Sequence, residues 1–509
     1  MLAELKQRLG EISDLHCAGA VLGWDQATYM PEAGAAARGR QSAALYRLAH
    51  RLAVAPALGK LLDALESHGE SLPPDSDDAC LIRVARRDYR KAIRVPPDYV
   101  ARSSAHASAS YDAWTRARPA NDFAAMVPYL EKTLELSREY SEFFAPYRDI
   151  ADPHIDDADP GLTTAVIRDV FGKLRNELVP IVRAICAQSP AHDSCLRQHF
   201  AKAAQFQFSL NVAERLGYDL GRGRLDYTHH PFSTKIDRGD VRITTRVNEN
   251  NIGDALFSTI HEAGHAMYEQ GVSAAVGGEP LGQGVSAGIH ESQSRLWENV
   301  VARSRGFWEH FYPKLQRTFP DRLAGVPLDA FYRGINKVAR SLIRTDADEV
   351  TYNLHIMLRF DLEGRMLEGK LRVSDLPEAW HAAMQRDLGV APDGDRDGCL
   401  QDVHWFSGSI GGGFQSYTIG NILAAQFYVA ALDDHPEIPG EIARGEFATL
   451  GNWLRENIYR HGSKFTPDAL VRRVTGAALS MDPYLGYLRG KYGALYKLPA
   501  ASQSLGSDQ

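Results

Sequence analysis

The sequence predicts a mainly α-helical protein that carries one short β-structured segment. Apolar residues recur every three or four positions over residues 2–15 and again over residues 127–134, which is the period of one face of an α-helix. Val241, Ile243 and Val247 differ, because they alternate with polar neighbours as in a strand. Hydrophobic residues make up 44% of the chain and charged residues 24%, the balance of a folded globular protein.

Taken in chain order, the first helix is predicted from Leu2 onward. A loop is predicted at residues 71–78, which contain two prolines and three aspartates, and another at the glycine-rich residues 408–414. The turn at residues 237–239 precedes the strand, so we expect a partner strand before it. We see no linker that would separate autonomous units, and therefore predict one body over residues 1–509.

Charge and cysteine usage exclude several classes of protein. The net charge is -7 and the pI about 6.2, so no summed positive field draws the chain to nucleic acid or to an anionic membrane. No apolar run is long enough to span a bilayer. The five cysteines form no C-x-x-C pair and the N-terminus lacks the features of a signal peptide. We expect a cytoplasmic protein in a reducing compartment.

The run His-Glu-Ala-Gly-His places two histidines four residues apart, at His261 and His265. On a helix such residues are neighbours, so both imidazoles can reach one metal ion, and Glu262 points to the adjacent space as a general base. We expect Asp254 to cap this helix and Gly271 to end it in the left-handed conformation. The alternative is an ordinary amphipathic helix that carries two histidines by chance.

A catalytic zinc needs a third protein ligand and an open fourth position. Residues 286–300 read as a helix with one apolar side, and Glu291 lies on the opposite side as the candidate ligand. His290 is a rival ligand on chemical grounds. The alternative is that Glu291 pairs with Arg295 on a solvated face, and spacing alone does not decide among these interpretations.

The chain contains six short motifs, in this order: HPF at 230–232, DVRIT at 240–244, HEAGH at 261–265, HESQSR at 290–295, IRTDAD at 343–348 and GCLQDVHW at 398–405. Together, and in the same order, they resemble the motifs of the carboxypeptidase Taq family of metallocarboxypeptidases. Residues 22–31 and 484–496 also look like family segments, so the resemblance spans nearly the whole chain.

The resemblance implies a two-lobed helical body with a deep central groove, a neurolysin-like fold and a homodimer. The small sheet would line the groove, where a substrate backbone can add as a strand. The resemblance also implies Glu291 rather than His290 as the third ligand, with Glu262 as general base. Zinc is the expected metal, one ion per chain, although cobalt or manganese would also suit two histidines and a carboxylate. Asp348 and Glu298 are the candidate partners that would orient the metal-binding imidazoles, and the sequence does not select between them.

The resemblance also implies the residues that handle substrate. His404 or Tyr417 would donate to the oxyanion, Arg344 as first choice and Arg242 as second would bind the substrate's C-terminal carboxylate, and His230 would shape the closed end of the groove.

Each of these residues has a structural alternative when the residues alone are considered. Arg344 can form a helix salt bridge to Asp348 four positions on. Arg242 can be a solvated residue on a strand, and His404 can be a buried structural histidine beside Trp405.

The predicted function is a metallocarboxypeptidase that removes C-terminal residues one at a time from peptides with a free C-terminus, with broad specificity. An endo-acting oligopeptidase of the same fold is the alternative within hydrolases. A catalytically inactive peptide-binding protein is the alternative outside them, although such a protein has no need of Glu262.

Overall fold

A computed structural model describes residues 1–276, 278 and 280–499 of the 509-residue chain. Helix accounts for 69% of the structure, so the mainly α-helical prediction is confirmed. The α-helices within the described residues are α1 (Leu2–Thr28), α2 (Ala35–Ala53), α3 (Pro56–Ser71), α4 (Asp77–Ala92), α5 (Pro97–Ala120), α6 (Val127–Glu142), α7 (Asp152–Ala158), α8 (Thr164–Cys186), α9 (Lys202–Leu216), α10 (Ile252–Gly271), α11 (Ala287–Arg295), α12 (Arg305–Thr318), α13 (Pro320–Leu323), α14 (Leu328–Ile335), α15 (Tyr352–Leu367), α16 (Leu376–Asp387), α17 (His404–Ser407), α18 (Gln415–Asp434), α19 (Ile438–Arg444), α20 (Ala448–Asn457), α21 (Pro467–Thr475) and α22 (Asp482–Tyr496).

One small sheet interrupts the helices. Its strands are β1 (Leu225–Tyr227), β2 (Ser233–Asp237) and β3 (Asp240–Thr245), in the order β1-β3-β2. β2 and β3 form the antiparallel hairpin that the alternating pattern and the turn predict, whereas β1 pairs in parallel with β3. Val241 and Ile243 are fully buried, and β2 is one of the two edge strands, next to α1 and α10.

Two clusters of buried apolar residues hold the chain together. The larger cluster runs through α8 to α12, α15, α18 and α22. The smaller one joins α1, α3 and α4 to Val272, Val276 and Leu281, which follow α10. No helix in the described part of the chain is both long and apolar enough to cross a membrane.

The helix that carries the two histidines is longer at its start than predicted. Asn251 caps α10 by accepting a hydrogen bond from the Gly253 N–H, and Asp254 lies in the first turn, 3.0 Å from Arg246. Gly271 is the last helical residue and does not adopt the left-handed conformation. Glycine is required there for a packing reason, because a Cβ would lie 2.6 Å from the ring of Tyr459.

The second predicted helix of the site is α11, which continues as a π-helix over Leu296–Val301. Its polar side is not solvated as the alternative interpretation required, because Glu291 is 5% exposed and Ser294 fully buried. Glycines allow the neighbouring helices to approach this side. A Cβ on Gly264 of α10 would lie 2.7 Å from Ser294 Cα, and one on Gly420 of α18 would lie 2.6 Å from Glu291 Cβ.

Candidate active site

Three ligand-type side chains converge where α10 meets α11. His261 Nε2 lies 3.6 Å and His265 Nε2 lies 3.4 Å from Glu291 Oε2, and all three ligand atoms lie within 4.8 Å of one another. Atoms that bind a tetrahedral zinc at about 2.0–2.1 Å lie about 3.3–3.4 Å apart. The donor set therefore fits one divalent ion, and no side chain has to move far to bind it.

The surroundings of His265 and Glu291 favour the protonation states that metal binding needs, whereas Glu291 and Glu298 raise the pKa of His261 despite its burial. Burial, together with the nearby His290 and His261, lowers the pKa of His265 to about 4, which leaves its imidazole neutral. Burial opposes ionisation of Glu291, but Arg295 and His261 hold the pKa of that carboxyl below its usual range. Arg295 contributes through a 2.6 Å ion pair with Glu291. Neutral imidazole and ionised carboxylate are the forms that bind a metal.

Each histidine is oriented through its other ring nitrogen. His261 Nδ1 lies 3.0 Å from Glu298 Oε2, and Glu298 also accepts from Arg295 at 3.2 Å and Arg303 at 3.3 Å. Asp348 is not one of these orienting partners, because its carboxylate accepts from the backbone N–H groups of residues 339, 350 and 351.

His290 contacts the second histidine, His265. Its Nδ1 lies 2.6 Å from His265 Nδ1 and its Nε2 lies 2.9 Å from Glu269 Oε1. Since both nitrogens of His290 are engaged by neighbouring side chains, neither is available to a metal ion in this arrangement.

Glu262 is buried beside the ligand cluster, with 7% of its surface exposed. Burial raises the pKa of its carboxyl to about 7. A carboxyl group in this range can accept a proton and return it near neutral pH.

A second group of side chains surrounds Asp402. Arg344 donates to both carboxylate oxygens of Asp402 at 2.6 and 2.9 Å, and Arg359 donates to one of them at 2.9 Å. Burial opposes ionisation, yet these two guanidinium groups hold the pKa of Asp402 well below its usual range. His404 Nδ1 lies 3.2 Å from Asp402, and Tyr417 Oη lies 3.4 Å from His404 Nε2.

The two groups belong to one site. The guanidinium of Arg295, which pairs with Glu291, lies 4.6 Å from the centre of the Tyr352 ring. The hydroxyl of Tyr352 accepts from Arg344 Nη1 at 3.0 Å, and its ring centre lies 6.3 Å from that of Tyr417. The side chain of Tyr352 thus connects the predicted residues Arg344, His404 and Tyr417 to the three proposed metal ligands.

Arg242 and His230 are the two remaining residues that were predicted to contact substrate. Arg242 pairs with Asp240 on its own strand at 2.6 Å, and its guanidinium lies 4.2 Å from the centre of the Trp24 ring of α1. In this arrangement Arg242 joins α1 to the sheet. His230 is exposed, and partial burial together with the cationic side chains around it, Arg344 among them, lowers its pKa.

Sequence reasoning missed Asp402 and Arg359. Asp402 falls within the quoted 398–405 motif, two residues before His404, but its partners are 43 and 58 residues away in the chain. A charged residue close to a proposed catalytic histidine was the available signal. Arg359 lies on an unremarkable helical stretch, and nothing local distinguishes it.

Two histidines and a carboxylate that converge beside a buried glutamate define a metal-dependent hydrolase site. A sequence model of the carboxypeptidase Taq (M32) metallopeptidases matches residues 4–492. The chain is 41% identical to thermostable carboxypeptidase 1 of Thermus thermophilus, over 96% of this chain and 97% of that relative. It is 35% identical to carboxypeptidase 1 of Bacillus subtilis, over 97% of this chain and 98% of that relative.

Solved structures agree with these sequence relatives. The M32 carboxypeptidase from Deinococcus radiodurans R1 superposes with a TM-score of 0.95 and 52% identity, covering 97% of this chain and 99% of that chain. Metallocarboxypeptidase 1 of Trypanosoma cruzi superposes with a TM-score of 0.91 at 29% identity, over 96% of this chain and 99% of that chain. The chain belongs to the carboxypeptidase Taq (M32) family of metallopeptidases, and it is a metal-dependent carboxypeptidase, a hydrolase that acts on peptides.

Proposed function

We propose that this chain is a zinc carboxypeptidase in which His261, His265 and Glu291 hold the ion and Glu262 is the general base. The observation that carries the proposal is the spacing of the three ligand atoms. Glu291 Oε2 lies 3.4 Å from His265 Nε2 and 3.6 Å from His261 Nε2. A divalent metal held by these three side chains would supply a Lewis acid and make water at the site more acidic. Zinc is the proposed metal, with one ion per chain, and cobalt or manganese would also suit two histidines and a carboxylate.

Glu262 has the surroundings that a proton carrier needs. It follows His261 directly on α10 and therefore faces the space next to the ligands rather than the ion itself. It would accept the proton of the attacking water and pass it to the leaving amine. A buried carboxyl group with a pKa of about 7 is suited to both transfers.

His404 and Tyr417 are proposed to stabilise the oxyanion. His404 Nε2 and the Tyr417 hydroxyl converge to 3.4 Å, so either group can donate a hydrogen bond at nearly the same point. Asp402 lies on the other side of the imidazole and would fix the direction in which the ring points. A donor held in this way does not have to reorient when charge develops on the scissile carbonyl.

Arg344 is proposed to bind the C-terminal carboxylate of the peptide. Of its five N–H groups, two donate to Asp402 and one to Tyr352, which leaves two on the terminal nitrogens for a further carboxylate. Arg344 and Arg359 together carry one positive charge more than Asp402 compensates. This surplus positive charge favours a substrate with a free C-terminus, and therefore removal of residues one at a time.

Membership of a carboxypeptidase family supports this polarity over an endo-acting oligopeptidase and over an inactive peptide-binding protein. Arg242, as the second choice for the carboxylate, is less well supported because Asp240 and Trp24 already engage it. His230 is proposed to lie at the closed end of the groove, on the same side as Arg344. Broad specificity, a homodimer and a cytoplasmic location stay predictions, the last supported by five free cysteines.

The carboxylate site can be tested with Arg344→Lys. Lysine keeps the positive charge beside Asp402 but cannot present two parallel N–H groups. We expect kcat/KM on a peptide with a free C-terminus to fall about 10- to 100-fold, as the loss of one charge-assisted hydrogen bond of about 1.5–3 kcal/mol implies. The same peptide amidated at its C-terminus should be a poor substrate for both enzymes. An equal loss in the control Arg116→Lys, at an exposed ion pair, or unchanged kcat/KM in Arg344→Lys, would remove Arg344 from this role.

A further inference from the structure

A chain of buried polar contacts continues beyond His290 to the sheet. His290 Nε2 lies 2.9 Å from Glu269 Oε1, and Glu269 Oε2 accepts from Lys235 Nζ at 2.9 Å. Lys235 lies on the edge strand β2 and also donates to the carbonyl of Gly282. Only 9% of the Glu269 side chain and 23% of the Lys235 side chain are exposed.

The protonation of His265 determines where the protons lie along this series of polar contacts. If His265 binds the ion through Nε2, its proton is on Nδ1 and must be donated to His290 Nδ1, 2.6 Å away. His290 then carries its own proton on Nε2 and donates it to Glu269. We infer that His290, Glu269 and Lys235 are positioning residues for His265, an inference that rests on the proposed metal site.

Each of the two metal-binding histidines is therefore linked by hydrogen bonds to a carboxylate that cationic side chains contact. His261 contacts its carboxylate, Glu298, directly, and two arginines donate to Glu298. His265 reaches its carboxylate, Glu269, through the imidazole of His290, and one lysine donates to Glu269. A buried carboxylate that loses its cation is strongly destabilised, so Lys235 keeps Glu269 in the state and the place that His290 needs.

Close packing around Gly284 supports the same role for His290. The Gly284 N–H donates to Glu269 Oε1 at 3.1 Å. A Cβ at this position would lie 2.6 Å from His290 Cδ2 and 3.0 Å from the Tyr268 ring. The absence of a side chain at Gly284 therefore leaves the imidazole of His290 the space it occupies.

The competing explanation is that Lys235 only fastens β2 to α10 and has no influence on the metal. Equilibrium metal affinity separates the two explanations, because a purely structural contact would change stability and leave affinity unchanged. The measurement is competition between the metal-free protein and a chromophoric chelator for Zn²⁺, with the visible spectrum of the Co²⁺-loaded protein as a report on ligand geometry.

We expect Lys235→Met and His290→Phe each to weaken Zn²⁺ binding about 10- to 100-fold and to change the Co²⁺ spectrum, as is usual for partners of metal-binding histidines. The double variant should bind no more weakly than His290→Phe alone, because Lys235 acts through His290. The control Lys91→Met removes a lysine that pairs with Asp156 at 2.5 Å between α4 and α7, and it should keep wild-type affinity.

Gly284→Ala provides a second test that removes no polar group. It should displace His290 and weaken Zn²⁺ binding, and it replaces His290→Phe if thermal unfolding shows that the latter does not fold. Unchanged Zn²⁺ affinity in Lys235→Met, or losses that add in the double variant, would overturn the inference. Failure of the wild-type protein to bind Zn²⁺ would instead contradict the proposed function.

Discussion

Glu262 combines two properties that bear on its role. It is adjacent in sequence to a proposed ligand, His261, and it is almost fully buried. Burial is costly for a charged carboxylate and raises its pKa to about 7. A structural role would pair such a group with a cation, whereas the nearby arginine, Arg295, is paired with Glu291 and Glu298 instead. The arrangement is that of a proton carrier rather than of an ion-pair partner.

Substitution of Glu262 by Gln should therefore separate chemistry from metal binding. The amide has nearly the same volume but cannot accept a proton, so we expect kcat to fall by about 10²–10⁴. Metal content, measured by atomic absorption on dialysed protein, should equal that of the wild type. The exposed Glu131 supplies the control, since Glu131→Gln should keep full activity. Normal turnover in Glu262→Gln would exclude the proposed base.

The residues of the site were predictable from sequence only as far as they follow from local spacing. His261, Glu262 and His265 share one helix, so their relation is determined by the helical period. Glu291 was selected over His290 by family resemblance, and the hydrogen bonds that engage both nitrogens of His290 form only when α10 and α11 pack together.

The contacts of Arg344 show the limit of local reasoning. The sequence offered a helix pair with Asp348, yet residue 344 begins a short 3-10 turn and its guanidinium pairs with Asp402. The distance between these two residues in the chain, 58 positions, places their contact beyond any periodicity argument.

At the scale of elements, glycine determines how closely the helices approach the proposed metal ligands. α18 packs against α11 through Gly420, where a Cβ would lie 2.6 Å from Glu291 Cβ and 3.1 Å from its carbonyl carbon. Backbone atoms cannot move aside as the end of a flexible side chain can. The position of Glu291 therefore depends on the absence of a side chain on the neighbouring helix.

Gly420→Ala should shift α11 and weaken both folding and metal binding. We expect a loss of about 1–3 kcal/mol in the free energy of unfolding, which is usual for overpacking, and a lower Zn²⁺ affinity. Gly490→Ala on α22 is the matched control, because that position is exposed and a Cβ there meets no atom within 4 Å. It should be neutral or gain up to about 1 kcal/mol from helix propensity. Equal stability of the two variants in denaturant titrations would contradict the packing argument.

Element type was predictable and element boundaries were less so. β3 followed from the alternation of apolar and polar residues and β2 from the turn before it, but β1 has three residues and is too short to show a period. α10 begins three residues earlier than expected, because Asn251 rather than Asp254 caps it. Capping residues are interchangeable in sequence, and only the observed hydrogen bond distinguishes them.

At the scale of the whole molecule, stability should depend on the protonation of Glu363. Its carboxylate accepts from Trp405 Nε1 at 2.5 Å and from the Gly411 N–H at 3.1 Å, and so fixes both ends of the loop after His404. Burial outweighs these hydrogen bonds and raises the pKa of Glu363 from 4.5 to about 7. The native state therefore binds this proton more tightly than the unfolded chain does.

The sign of the pH dependence follows from that difference. The stability contributed by protonated Glu363 is complete below about pH 4.5 and is lost as the pH rises through 7, a change of about 3 kcal/mol. Glu363→Gln cannot ionise, so the difference in unfolding free energy between wild type and variant should change with pH over this interval. The exposed Glu378 gives a control, Glu378→Gln, for which the difference should stay flat. A flat difference for Glu363→Gln would show that folding leaves the pKa of Glu363 unchanged.

The most direct test of the whole enzyme is the pattern of products from one peptide. A mixed-sequence peptide is incubated with the metal-loaded protein, with the chelated protein and with the chelated protein after Zn²⁺ is restored, and the products are read by mass spectrometry. We expect a ladder that shortens one residue at a time from the C-terminus, present only with metal, and absent when the peptide is amidated. Internal fragments, or a ladder that persists after chelation, would contradict a metal-dependent carboxypeptidase built on His261, His265 and Glu291.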